Sequence, residues 1–222
     1  MTHQKALYLY EEVLLLALKN EQGTLAAGFV EQVVAGAVLA ELLLENRITV
    51  EATKKQWVSV VNVSPTGDPI IDECLQKMAG SPRRVALKTW IGRVAEIKRL
   101  RHRVAEQLCQ RGILRADRKT ILLIFKKLIY PEIDPVPEKE LLARIRGAIF
   151  SDSPTIDPRV LVLIALANAN GLLEYNFGRK ELKPRKKRIA QIASGDIAGE
   201  ATKEIVTAIQ SAMILVVVFA SA

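Results

Sequence analysis

The chain has 222 residues, half of them hydrophobic and a quarter charged, which is enough for one full hydrophobic core and excludes wholesale disorder, a collagen-like repeat and a disulfide scaffold. Thirty-two Lys and Arg against 24 Asp and Glu leave a net charge of +8, which favours polyanionic partners such as phospholipid surfaces or nucleic acid. Cys74 and Cys109 lie outside any CxxC spacing and Met1 to Lys5 lacks the signature of a secretory signal, so a reducing cytosol is the expected compartment.

Leu7 to Leu18 places apolar residues all around Glu11 and Glu12 before the turn signal Gln22-Gly23, which predicts a helix packed on most sides. Val30 to Asn46 reads as a second buried helix that tolerates Gly36. Ile48 to Glu51 and Trp57 to Val63 are β-branched runs, expected to pair as strands and to end at Ser64-Pro65-Thr66-Gly67-Asp68. Ile70 to Met78 resumes helical spacing, and Ser81-Pro82 offers an N-cap and first-position proline for a helix carrying Trp90, with Gly92 as its bend. Beyond it Val94, Ile97, Leu100, Val104 and Leu108 recur at three- and four-residue steps until Gly112, which predicts one continuous basic helix.

Ile113-Leu114, a polar tip at Asp117-Arg118-Lys119 and the run Ile121-Leu122-Leu123-Ile124-Phe125 read as a β-hairpin. Pro131, Pro135 and Pro137 mark a linker, Glu138 to Phe150 is a helix, and Asp157-Pro158 caps an apolar helix that ends before Gly171. Arg185 to Ile197 and Thr202 to Phe219 complete the set. The uncharged stretch Ile205 to Ala222 is interrupted by Thr207, Gln210 and Ser211, and Met213 to Ala220 falls short of the ~20 residues of a membrane span, so a packed C-terminal helix is expected. The expected fold is therefore mainly α: a single globular helical domain over residues 1–222, with a projecting β-hairpin and a second short strand pair.

Enzyme signatures are missing. The chain has no GxGxxG, GxxxxGK[ST], HExxH or GxSxG, and its two histidines are His3 and His102. His102 lies among Lys98, Arg99, Arg101 and Arg103, whose charges oppose a bound metal ion. No catalytic residue, cofactor or metal is expected. The pairs Glu11-Glu12 and Asp72-Glu73 read as solvated surface or local caps, because adjacent helical residues point about 100° apart. The cysteines read as small buried hydrophobes.

The basic helix is more informative. On a helical wheel Ile97, Leu100, Val104 and Leu108 form one stripe, with Lys98 and Arg101 on its border and Arg99 and Arg103 on the far side. A cation held at the edge of a core keeps its geometry, which suits charge-assisted bonds to phosphate; the alternative is an ordinary solvated face. A second cluster, Arg179-Lys180 through Lys183 to Arg185-Lys186-Lys187-Arg188, fits either contact with anionic lipid or a solvated run. The five apolar residues Ile121 to Phe125 cannot share one strand face, so that hairpin is either buried on both faces, pairs with another subunit, or dips into a bilayer.

Several stretches, in this order, resemble the Golgi phosphoprotein 3 family: Leu7 to Leu16 (LYLYEEVLLL), Gly36 to Arg47 ending in ELLLENR, Pro65-Thr66-Gly67-Asp68 with Asp72-Glu73, Arg101 to Leu114 (RHRVAEQLCQRGIL), and Val160 to Leu173. The resemblance implies a helical, non-enzymatic domain with a projecting hairpin that binds phosphatidylinositol 4-phosphate at a membrane surface. Two of the family's headgroup-binding arginines fall on Lys98 and Arg101, so one is kept and one has become a lysine, which lacks the bidentate fork. A third falls on Ala35, and the family's membrane-contacting tryptophan falls within Leu25 to Phe29, which holds none. The reading is a cytoplasmic, peripherally membrane-associated module that recognises anionic phospholipid through Lys98, Arg101 and the hairpin, which is also where a homo-oligomer would form. The rival is a winged-helix nucleic-acid binder, whose recognition helix and wing the segment Val94 to Phe125 mimics, but whose preceding turn is replaced by Trp90-Ile91-Gly92.

Overall fold

Nine consecutive residues, Leu9–Ala17, form helix α1, and every one of them is buried, the two glutamates included. A helix apolar on all sides can only be stable with packing on all sides, and α1 is packed by five other helices, introduced below as α2, α5, α6, α7 and α8. The computed structural model describes residues 6–19, 22–25, 30–121 and 125–220, with the backbone alone for 120, 121, 125, 126 and 214–220.

Strands β1 (Leu18–Lys19) and β2 (Thr24–Leu25) pair antiparallel around Gly23, and α2 (Val30–Leu44) follows. The strands β3 (Ile48–Val50) and β4 (Trp57–Val60) are joined at the far edge of β4 by β5 (Val85–Ala86), after α3 (Pro69–Ala79). Then come α4 (Leu87–Ala95), α5 (Leu100–Gln110), the hairpin β6 (Asp117–Ile121) and β7 (Phe125–Ile129), α6 (Val136–Phe150) and α7 (Pro158–Ala169). Short helices α8 (Leu172–Phe177), α9 (Arg179–Leu182) and α10 (Lys186–Ala193) lead to α11 (Glu200–Ala220), which packs on α7, α4 and α2. The mainly α expectation with small antiparallel strand groups holds.

Several local expectations hold for the stated reasons. The Asp68 carboxylate accepts from the N–H groups of Ile70 and Ile71 at 3.0 and 2.9 Å, with Pro69 at the first position of α3, and Asp157 caps α7 in the same way. Gly36 is more than tolerated: a Cβ there would meet the Met213 sulfur at 2.8 Å, so its bare backbone lets α11 lie against α2.

Other boundaries differ. Ser81-Pro82 starts no helix, because the Ser81 hydroxyl donates to the Arg83 carbonyl at 3.0 Å and the chain next pairs Val85 and Ala86 with β4, making a three-stranded sheet of the expected pair. The basic helix is not continuous. Gly92 sits inside α4, and the break falls at 96–99, where Arg99 takes a left-handed φ of 60° and the turn lets both Ile97 and Leu100 face the core. The polar tip expected at Asp117-Arg118-Lys119 is strand, paired with 127–129, and the pairing continues to Ile121 and Phe125. The helix expected over Arg185 to Ile197 is shorter: a 3-10 turn, Lys183–Arg185, leads into α10, which ends at Ala193.

Glu11 is a local cap, accepting the Tyr8 N–H at 2.9 Å, but neither it nor Glu12 is solvated. They are 2% exposed, and Glu41 of α2 is 1% exposed. Each meets an arginine from later in the chain: Glu11 pairs with Arg111 at 2.9 Å, Glu12 with Arg144, and Glu41 with both terminal nitrogens of Arg159 at 2.6 and 2.9 Å. Glu41 also accepts the Leu9 N–H at 2.7 Å, tying the starts of α1 and α7 to α2. Removing one partner of a buried pair strands the other charge, which costs about 3–5 kcal/mol, far beyond the value of a surface pair. Arg159→Ala should lower unfolding free energy in urea by that amount, and Glu41→Gln combined with Arg159→Gln should cost less than the single change. A loss under about 1 kcal/mol for Arg159→Ala would place the pair with ordinary surface bridges.

Candidate functional site

The start of α5 and the base of the hairpin form one surface. Arg101 lies in the first turn of α5 with its side chain 24% exposed, and its Nη1 meets Glu31 of α2 at 3.1 Å. Its Nη2 lies 3.2 Å from His102 Nε2, and His102 Nδ1 lies 2.9 Å from the Tyr130 hydroxyl. Guanidinium nitrogens only donate, so Nε2 accepts, the ring proton sits on Nδ1, and that proton is donated to the Tyr130 oxygen. Tyr130 is buried and its N–H donates to the Gly23 carbonyl at 3.0 Å. That approach requires glycine: Gly23 has φ +56° and a Cβ would meet Pro131 N at 2.3 Å. The turn after α1 thus clamps the hairpin base beside Arg101.

Lys98 is separated from the helix that carries Arg101. It stands exposed in the 96–99 turn and makes no ion pair among the described residues. The other basic residues of this stretch are engaged. Arg99 meets Glu106 at 2.9 Å, while Arg103 reaches Glu73 at 2.5 Å and the Pro69 carbonyl at 3.4 Å. The sequence singles out Lys98 and Arg101 but gives no sign of Glu31 or Tyr130 beside them, because a salt bridge or hydrogen bond between separate elements leaves no spacing signal. The apolar run Ile121, Leu122, Leu123, Ile124 and Phe125 lies outside the residues whose side chains are described, so the three readings of that hairpin stand as they were.

In the cluster Arg179 to Arg188 two arginines are architectural, whereas Lys180, Lys183, Lys186 and Lys187 are exposed. Arg185 donates to the Phe150 carbonyl at 2.7 Å and to Asp152 at 2.9 Å, and Arg188 donates to the Ser153 carbonyl at 2.6 Å. They satisfy the open C-terminal end of α6 and pin the loop after it. Arg179 pairs with Glu174 at 2.7 Å. Asp72 accepts from the Thr66 and Gly67 N–H groups, which pulls its carboxyl below the usual range, and so behaves as the local cap expected.

A cavity of about 660 Å3 opens between α1, α6 and α7 and is lined by Arg111, Arg144 and Arg159. These face Glu12, Glu140 and Asp157 in the same wall, with Glu11 and Glu41 behind them, so it offers no net positive field to an anion. Burial pushes the Glu11 and Glu12 carboxyls up from their ordinary values. Cys74 is buried and its thiol is pushed up to about 12 by that burial, while burial also raises Cys109. Neither is a thiolate nucleophile near neutral pH. Among the described residues no cluster of His, Cys, Asp and Glu could hold a metal ion, and no helix is long and apolar enough to cross a membrane.

His102 is pushed below its usual value by burial and then by the neighbouring Arg101 and Arg99 charges, against the opposing pull of Glu106 and Glu31. A neutral ring at pH 7 is the form that accepts from Arg101. Protonation is therefore harder in the folded than in the unfolded chain, and the stability that the neutral ring contributes, fully present above the unfolded value of ~6.5, is lost as pH falls from there through the lower folded value. Titration of the His102 ring by NMR should give a midpoint below that value, and Arg101→Gln should raise it. A midpoint at or above ~6.5 would contradict the acceptor role.

A family model described as Golgi phosphoprotein 3 (GPP34) matches residues 9–209. Vacuolar protein sorting-associated protein 74 of Eremothecium gossypii is 29% identical over 171 residues, covering 67% of this chain and 50% of that protein. The chain thus spans about half the length of this curated relative. With a match over nearly all of the helical body, including α1, α5 and the hairpin, the chain belongs to the Golgi phosphoprotein 3 family.

Proposed function

We propose that this protein is a non-enzymatic, peripheral membrane module of the cytoplasm that recognises an anionic phospholipid headgroup, of the phosphatidylinositol 4-phosphate class, at the surface formed by Lys98 and Arg101. The observation that carries the reading is the setting of Arg101. It is a guanidinium held from two sides at the edge of the core, next to a lysine that reaches solvent. A pre-positioned guanidinium gives directional bonds to phosphate oxygens, and the mobile lysine adds a point charge. Family membership and the Golgi and vacuolar-sorting names of the matched family and relative support the membrane setting. Ala35 is buried in α2 and supplies no third cation, so the site rests on two.

Lys98 and Arg101 should therefore act differently from their neighbours. Changing both to Ala should weaken binding to vesicles containing phosphatidylinositol 4-phosphate beyond the roughly 1 kcal/mol per charge of diffuse attraction, whereas Arg99→Ala with a change to Ala of Lys88, an exposed residue of α4, should cost no more than that. Equal losses from the two pairs in a sedimentation assay would leave general charge and no defined site.

A further inference from the structure

The reading of Arg101 as a headgroup ligand has a consequence at Glu31, a residue of the first turn of α2. The Glu31 carboxylate occupies one edge of the Arg101 guanidinium at 3.1 Å while His102 occupies a second nitrogen. We propose that Glu31 is a built-in competitor for Arg101, so that only a phosphomonoester headgroup, and not a phosphodiester, engages this site.

The argument is one of fixed cost against variable gain. Opening the Arg101–Glu31 pair costs the same for every ligand. What the ligand gains from Arg101 and Lys98 grows with its own charge and its number of oxygens. A phosphodiester carries one negative charge, so it offers Arg101 no more than the carboxylate already there. A phosphomonoester carries about −1.5 to −2 at pH 7 and three acceptor oxygens, enough to take the guanidinium from a single carboxylate. Glu31 is 41% exposed at its side chain, so once displaced it can turn to water without being stranded in the core. His102 keeps its grip on the other nitrogen, which leaves the guanidinium oriented during the exchange. Glu106 makes an instructive contrast: it sits on the same helix, but its partner is Arg99.

The test is vesicle sedimentation with phosphatidylcholine carrying either phosphatidylinositol 4-phosphate or phosphatidylserine, matched for surface charge. The unaltered protein should bind the monoester vesicles at least tenfold better, and Arg101→Ala should abolish that preference while lowering phosphatidylserine binding by no more than the roughly fivefold effect of one near-surface charge. Glu31→Gln should raise binding to phosphatidylserine vesicles by about fivefold, the effect of one near-surface charge, and Arg101→Ala added to it should remove the gain. Glu106→Gln should give no such gain. If Glu31→Gln changes nothing while Arg101→Ala still releases the protein from the phosphoinositide, Glu31 is no competitor and the headgroup reading stands without it. An equal gain from Glu106→Gln would also overturn the proposal, as general charge. If Arg101→Ala changes binding to neither vesicle, the headgroup reading itself falls. Full release from phosphoinositide vesicles by glycerol 3-phosphate, at the same phosphate concentration, would overturn the assignment of the ligand to a membrane.

Discussion

Three buried carboxylates set the plan of this molecule. Glu11, Glu12 and Glu41 lie on the two helices against which α3 to α8 and α11 pack, and each is answered by an arginine more than 90 residues onward: Arg111, Arg144 and Arg159. Apolar packing alone fixes depth but not direction, since leucine faces are interchangeable. A buried carboxylate cannot exchange its arginine for a near miss, because the stranded charge costs several kcal/mol. The pairs therefore give α1 and α2 the rotational register that their uniformly apolar surfaces lack. They also fix the end of α5, the middle of α6 and the start of α7 around that axis.

The candidate site follows from this anchoring. α5 is held at its C-terminal end by Arg111 on Glu11, and its other end, about 16 Å away for 11 residues, presents Arg101. Between these ends Arg103 is tied to Glu73 on α3 and Gln107 to Asp68, so the helix is fastened along its length. The hairpin base is fastened separately, through Tyr130 to Gly23 and to His102. The net charge of +8 is consequently a poor guide to the surface. Many arginines spend their charge inside the fold, on helix ends or buried glutamates, and Lys98 is one of the cations left for a ligand.

The fold was legible where the signal is local. Asp68-Pro69 and Asp157-Pro158 mark helix starts because cap, proline and helix lie within four residues, and α2 is apolar apart from Glu31, Gln32 and Glu41. It was not legible where a distant partner decides. The periodicity of Val94, Ile97, Leu100 and Val104 fits a single helix, yet Ile97 and Leu100 are both buried by a chain that turns between them through a left-handed Arg99. Val85 and Ala86 are too short a run to read as strand until β4 supplies the edge. Glu11 and Glu12 looked solvated because nothing within the helix could pair them. At the site, Arg101 was legible as a cation on the margin of an apolar stripe, although the stripe is broken just before it. The Glu31, His102 and Tyr130 contacts that give Arg101 its chemistry come from three different elements, and no spacing rule connects them.

The orientation of the molecule on a bilayer tests the account most directly. With phosphoinositide vesicles carrying a spin label at the lipid headgroup, amide resonances of 96–103 and 127–130 should broaden first, while those around Glu12 and the 151–157 loop, beyond the far end of α5, should stay sharp. Strongest broadening at the 151–157 loop, or uniform broadening over the whole surface, would contradict a docking face built at the start of α5.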